Sequence, residues 1–222
     1  MFLNFFVGTT PYLESIPVKA SDQGVVYGKI YRNFQPCMKT LPSIHATTYR
    51  TDLLREQEFY MQDNMFFVDE EYVILPYLRA KSVLYLPFDV YRYQVANPSQ
   101  STSPQNRAKY YQHREKILQR LIQTCTMETR GRTDGALEYC RLRVQKGIGD
   151  HFTTLYMYFE DRQRGREEAS KWSGFLKSCP SKEFYLGTRQ KAWILRCLNY
   201  LHISLKEYER LKSTLYRKER RR

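Results

Sequence analysis

Residues able to do chemistry gather in one stretch, Phe66-Phe67-Val68-Asp69-Glu70-Glu71-Tyr72. Three consecutive acids follow three apolar residues and lead into the apolar run Tyr72-Val73-Ile74-Leu75. A carboxylate held against apolar neighbours or beside like charge is harder to ionise. It can then act as a general base near neutral pH. The same residues also read as a helix start, because Asp and Glu favour the first turn. Asp63, Asp69, Glu70 and Glu71 are close enough in sequence to suggest a divalent cation, but no Asp-x-Asp pair occurs anywhere in the chain, which argues against a metal site built from this chain alone. His45 comes shortly before the cluster, beside Ser43 and Thr47, and is a candidate for the same cleft.

The elements that position these residues follow from hydrophobic periodicity. Residues 1–7 read as a buried strand and 24–31 as a weaker one, with loops over 9–23 and around Pro36 and Pro42. Residues 43–49 are rich in β-branched side chains and read as a strand. Thr51 then caps a short helix, 52–57. A helix over about 70–79 carries the acid cluster at its start, and strands follow over 82–86 and 90–95. Ser103-Pro104 is a helix-start pair. From there the apolar period lengthens to that of helices, expected over about 104–125, 134–145, 152–161, 167–177, 188–200 and 205–218. The last of these opens on the capping-box spacing Ser204 to Glu207. This divides the chain into an α/β region, 1–104, and an all-helical region, 105–222.

Charge divides the same way. The chain of 222 residues carries a net +13, yet residues 1–104 hold 9 Lys+Arg against 10 Asp+Glu, and residues 105–222 hold 27 against 13. Such asymmetry implies an anionic partner: an acidic membrane surface, an acidic substrate or a nucleic acid. Tyr110, Tyr111, Tyr156 and Tyr158 are able to stack on bases, but no nucleic-acid-binding motif accompanies them. The five cysteines show no metal-ligand spacing and read as reduced, mostly buried thiols. There is no P-loop, GxGxxG, GxSxG or HExxH motif, no signal-peptide pattern at the start, and no apolar run long enough to cross a membrane.

Three segments carry a resemblance. Leu41-Pro42-Ser43-Ile44-His45-Ala46-Thr47-Thr48-Tyr49-Arg50-Thr51-Asp52-Leu53-Leu54-Arg55 resembles the HS-x-x-YR-x-x-LL segment of bacterial family-two glycosyltransferases. Phe67-Val68-Asp69-Glu70-Glu71-Tyr72 resembles their [VE]D-x-x-[FY] segment. Residues 82–93, followed by Ser99-Gln100-Ser101, resemble their YLD-x-x-LYRY…QS segment. The order and spacing agree over about residues 1–125. The resemblance implies a partial GT-A fold, a Rossmann-like mixed sheet, followed by the basic helical region. It implies inverting transfer of a sugar from a nucleotide-diphosphate sugar to a glycan or lipid-linked acceptor in cell-surface polysaccharide synthesis. Asp69 takes the place of the general base, and His45, Glu70, Glu71, Tyr91, Arg92, Gln100 and Ser101 would line the acceptor cleft.

The chain departs from the family's pattern at two places. The nucleotide-binding strands and the Asp-x-Asp that holds Mg or Mn have no counterpart, so the chain is expected to be the acceptor-side part of an enzyme, with a nucleotide-binding half on another chain as the expected partner. Gln94 and Ala96 stand where many relatives carry an Arg and a His. The expected location is cytoplasmic, at the inner face of the membrane. The alternatives are a non-catalytic binding or assembly module without a donor site and, more distantly, a basic nucleic-acid binder.

Overall fold

The structure, a computed structural model, describes residues 2–9, 12–16, 24–36, 42–94, 103–128, 134–204, 206–208 and 210, with backbone alone at 2–9, 12–16 and 89–94. Its described part is mixed α/β. Strands β1 (Phe2–Thr9), β2 (Tyr12–Ile16), β3 (Ile30–Arg32) and β4 (Ser82–Gln94) form a four-stranded sheet in the order β2-β1-β4-β3. β2 and β3 run antiparallel to their neighbours, while β1 and β4 are parallel. A parallel pair requires a long crossover, and here it holds two helices, α1 (Thr51–Glu56) and α2 (Asp69–Arg79).

Further helices follow: α3 (Pro104–Lys109), α4 (Tyr111–Glu128), α5 (Gly135–Thr153), α6 (Arg162–Ser178) and α7 (Glu183–Tyr200). A π-helical turn, Thr154–Tyr158, continues α5.

Several sequence expectations are corrected. Residues 43–49 form a 3₁₀ turn, Ile44–Ala46, in place of a strand; the Thr47 hydroxyl donates to the Ser43 carbonyl at 2.7 Å, a local bond that β-branched Thr makes in turns. Residues 12–16, expected in a loop, are β2. Pro87 does not end a strand, since β4 runs through it to Gln94. At α1, Thr51 is the first helical residue and Arg50 occupies the cap without a side-chain bond. The expected helix from 104 is interrupted at Tyr110, between α3 and α4.

The chain forms two compact units. Unit 1 comprises residues 1–103 and 112–144, and unit 2 residues 104–111 and 145–222. The contacts therefore do not follow a single cut at 104/105: α4 from Gln112 on and the first half of α5 belong with the sheet. The reason is apolar burial. Ile117, Leu118, Leu121, Ile122 and Cys125 on α4, with Leu137, Tyr139 and Cys140 on α5, are buried in the same unit as Val73, Ile74, Tyr77 and Leu78 of α2. The Tyr77 and Tyr139 rings lie 4.9 Å apart, and the Tyr77 hydroxyl donates to the Phe34 carbonyl at 2.8 Å. In unit 2, α6 and α7 pack on each other and on the π turn around Leu155, Trp172, Leu176, Phe184 and Leu195. Asp161 caps α6 by accepting from the backbone of Gln163 and Arg164. Ser204 and Glu207 make the reciprocal bonds of a capping box, at 3.3 and 2.7 Å.

Candidate functional site

The acid cluster is the first turn of α2, as its composition predicts. The chain enters the helix through Phe67, which has a φ of +71°, a conformation unfavourable for a bulky side chain. Packing holds it there. The Phe67 ring is buried, and the Arg114 guanidinium lies 5.2 Å from its centre. The preceding Phe66 N–H donates to Nδ1 of His113 at 3.2 Å. A strained residue fixed by its surroundings is a pattern found at functional sites.

Three adjacent acids meet three different environments. Asp69, at the first helical position, is exposed. Glu70 is half-buried and pairs with the buried Arg114 of α4. Glu71 is wholly buried. Its carboxylate accepts from the Gln62 backbone at 3.2 Å, the Gln62 side chain at 3.0 Å and Arg120 of α4 at 2.8 Å. The burial that the sequence placed on Asp69 thus falls on Glu71. Glu71 cannot contact an acceptor and is removed from the cleft-lining set; it fastens the start of α2 to α4.

His45 sits in the 3₁₀ turn. Burial lowers its pKa below the usual 6.5, and the opposing influence is the negative charge of Asp69. The charge of Asp69 therefore acts on His45, another of the candidate residues. Tyr91 and Arg92 lie on β4 opposite Phe5 and Phe6 of β1, but nothing is described of their side chains; Gln100 and Ser101 lie outside the described residues.

Sequence reading missed Gln62, His113, Arg114 and Arg120. Only Arg79, Glu128 and Arg120 among the charged groups of α2 and α4 also border a cleft of about 1270 Å³ in unit 1, whose other walls include Tyr49, Arg50, Tyr60 and Lys81. Neither Asp69 nor His45 lines that cleft. Arg120 is its link to the acid cluster: it pairs with Glu71 on one side and lies 4.9 Å from the Tyr60 ring centre on the other.

Among the described residues no group of three His, Cys, Asp or Glu side chains is placed to hold a metal ion. The two acids beside Asp69 are already engaged by arginines, so the described acids of this cluster do not make the oxygen-rich donor set that Mg or Mn requires. No protein-family model matches the chain, and no match is found among curated proteins or solved structures.

Proposed function

We propose that unit 1 supplies the acceptor side of an inverting glycosyl transfer, with Asp69 as general base. The observation that carries this reading is the placement of Asp69. It is an exposed carboxylate in the first turn of α2, two residues after the strained Phe67, and its charge acts on His45, while its two neighbours are engaged in arginine pairs. The mixed sheet with parallel β1 and β4 is compatible with a partial GT-A fold. The three sequence segments of family-two glycosyltransferases support it as well. In this reading Asp69 takes the proton of an acceptor hydroxyl. The oxygen then bonds to the anomeric carbon as the bond to the diphosphate breaks, and the nucleoside diphosphate leaves. The acceptor class is a glycan or lipid-linked glycan, and the donor a nucleotide-diphosphate sugar. No step is assigned to a metal.

The test is transfer from a panel of nucleotide-diphosphate sugars to glycan acceptors by the 222-residue chain. Asp69→Asn should reduce transfer by at least about 100-fold, the scale of general-base catalysis, with an unchanged circular dichroism spectrum. Transfer that survives the substitution removes Asp69 as base.

A second reading is a binding or assembly module without activity of its own. The absence of any Asp-x-Asp from the sequence favours it. Calorimetric titration of a uridine-diphosphate sugar with Mn²⁺ separates the two. Binding supports self-sufficient catalysis; no binding supports the module.

A further inference from the structure

Helix α7 carries two apolar stripes, and only one is packed. Phe184, Thr188, Ala192, Leu195 and Asn199 form the inner stripe and are buried in unit 2. On the outer side Leu186, Trp193 and Tyr200 follow one another at intervals of seven residues, with Ile194 and Leu201 beside them, and all five are exposed. Seven residues are close to two helical turns, so these side chains line one face. Trp193 is 66% and Leu201 70% exposed, values that an ordinary isolated surface residue would not repeat along a whole face.

The edge of this face is basic. Arg189 and Arg196, also seven apart, are both exposed on the same side of the stripe. Arg196 and Arg166 of α6 lie 5.7 and 4.7 Å from the Tyr200 ring centre. The helix's one acid, Glu183, stands in its first turn and accepts from the Ser181 hydroxyl. Unit 2 as a whole holds 20 Lys+Arg against 9 Asp+Glu, a net of +11.

We propose that this face of α7 docks unit 2 on an anionic lipid surface. Trp193, Ile194, Leu186 and Leu201 enter the boundary between headgroups and acyl chains, and Arg189 and Arg196 meet the lipid phosphates. An apolar face with a tryptophan and an arginine rim is the composition of a helix lying in a membrane interface. The charge decides the occupant. A second copy would bring two units of +11 face to face, whereas an acidic bilayer attracts each basic side chain near its surface. No helix among the described residues is long and apolar enough to cross a membrane, and docking on the surface needs none. The proposal stands independently of glycosyl transfer.

The two tryptophans make a direct test possible in the unaltered chain. Trp172 is 2% exposed and serves as a buried reference, while Trp193 reports the face. With vesicles of phosphatidylglycerol and phosphatidylcholine, Trp193 emission should shift to the blue and be quenched by brominated acyl chains. Trp193→Phe should remove the quenching while the protein remains vesicle-bound. Arg189→Glu with Arg196→Glu should weaken partitioning by more than about fivefold per arginine, and Trp193→Ser with Ile194→Ser by at least about tenfold. Circular dichroism confirms that each variant is folded. Equal partitioning onto neutral phosphatidylcholine overturns the proposal, as does binding without any change at Trp193. A Trp193 shift that appears on raising protein concentration without lipid, together with a dimer mass, overturns it in favour of a second copy.

Discussion

The Glu71–Arg120 pair makes a quantitative prediction about what holds the candidate base in place. Glu71 is fully buried and pairs with Arg120 at 2.8 Å, the arginine side chain being 28% exposed. Removing one partner of a buried pair costs about 3–5 kcal/mol, because the other charge is left without compensation. Water reaches Arg120, and Gln62 still donates twice to Glu71, so Arg120→Met should cost less, about 2–3 kcal/mol. Methionine keeps most of the apolar stem, which isolates the charge. The loss belongs to α2, so hydrogen exchange of the amides of residues 69–79 is the appropriate measurement: 2–3 kcal/mol corresponds to about 30- to 150-fold faster exchange. Glu71→Gln in the Arg120→Met background removes the stranded charge and should restore much of the protection. Two results refute the reasoning: exchange in Arg120→Met within about twofold of the parent, or a double variant less protected than Arg120→Met alone.

The remaining expectations concern other groups. Burial lowers the His45 pKa and Asp69 opposes it, so an NMR titration should place His45 below 6.5 and Asp69→Asn should lower it further. With the folded pKa depressed, the unfolded chain binds the proton more readily; the His45 contribution to stability is complete above pH 6.5 and declines as pH falls from there through the folded pKa, which urea unfolding across that window will read. On α6, a Cβ at Gly165 would meet the Leu155 carbonyl oxygen at 2.2 Å, while one at Gly174 meets nothing within 4 Å. Gly165→Ala should therefore destabilise unit 2 by at least about 2 kcal/mol, and Gly174→Ala should stabilise it by about 0.5–1 kcal/mol, both read by thermal unfolding. Among the four described cysteines Cys197 is the most accessible, whereas burial pushes the Cys125 thiol up to about 12. Iodoacetamide at pH 8 should label Cys197 before Cys140 and Cys179 and leave Cys125 unmodified until unfolding, as peptide mass mapping will show.

The fold was legible where local pattern and tertiary packing agree. α2, the Ser103-Pro104 helix start and the capping box at Ser204 are set by residues within a few positions of one another. The expectation failed where a competing local bond or a nonlocal partner decides. β-branched residues at 43–49 suggest a strand, but the segment closes on its own backbone as a 3₁₀ turn. Pro87 should end a strand, yet β4 continues through it because the β1–β4 register shifts between Tyr85 and Asp89, and an irregularity is where a sheet tolerates proline. The grouping of α4 with the sheet was invisible because the helix's apolar stripe shows that it is buried without showing against what.

The same distinction governs the acid cluster. Helical spacing does mark Glu71 for burial, since Ile74 and Leu78 share its stripe at i+3 and i+7. It marks Asp69 equally, since Val73 and Pro76 stand at i+4 and i+7 and are buried too. What separates the two acids is the end of the helix. Asp69 is its first residue, and the reversal at Phe67 leaves no preceding turn to cover it. Glu71 lies far enough in to be reached by Gln62 and Arg120. Arg114 and Arg120 could not be chosen from 27 basic residues by any pattern in the sequence; their selection depends on where α4 packs. A desolvated Asp69 was the reason first given for reading a base here, and that reason does not survive its exposure. Glu70 and Glu71, the two acids able to compete for a proton or a cation, are neutralised by arginines, whereas Asp69 is exposed and its charge acts on His45.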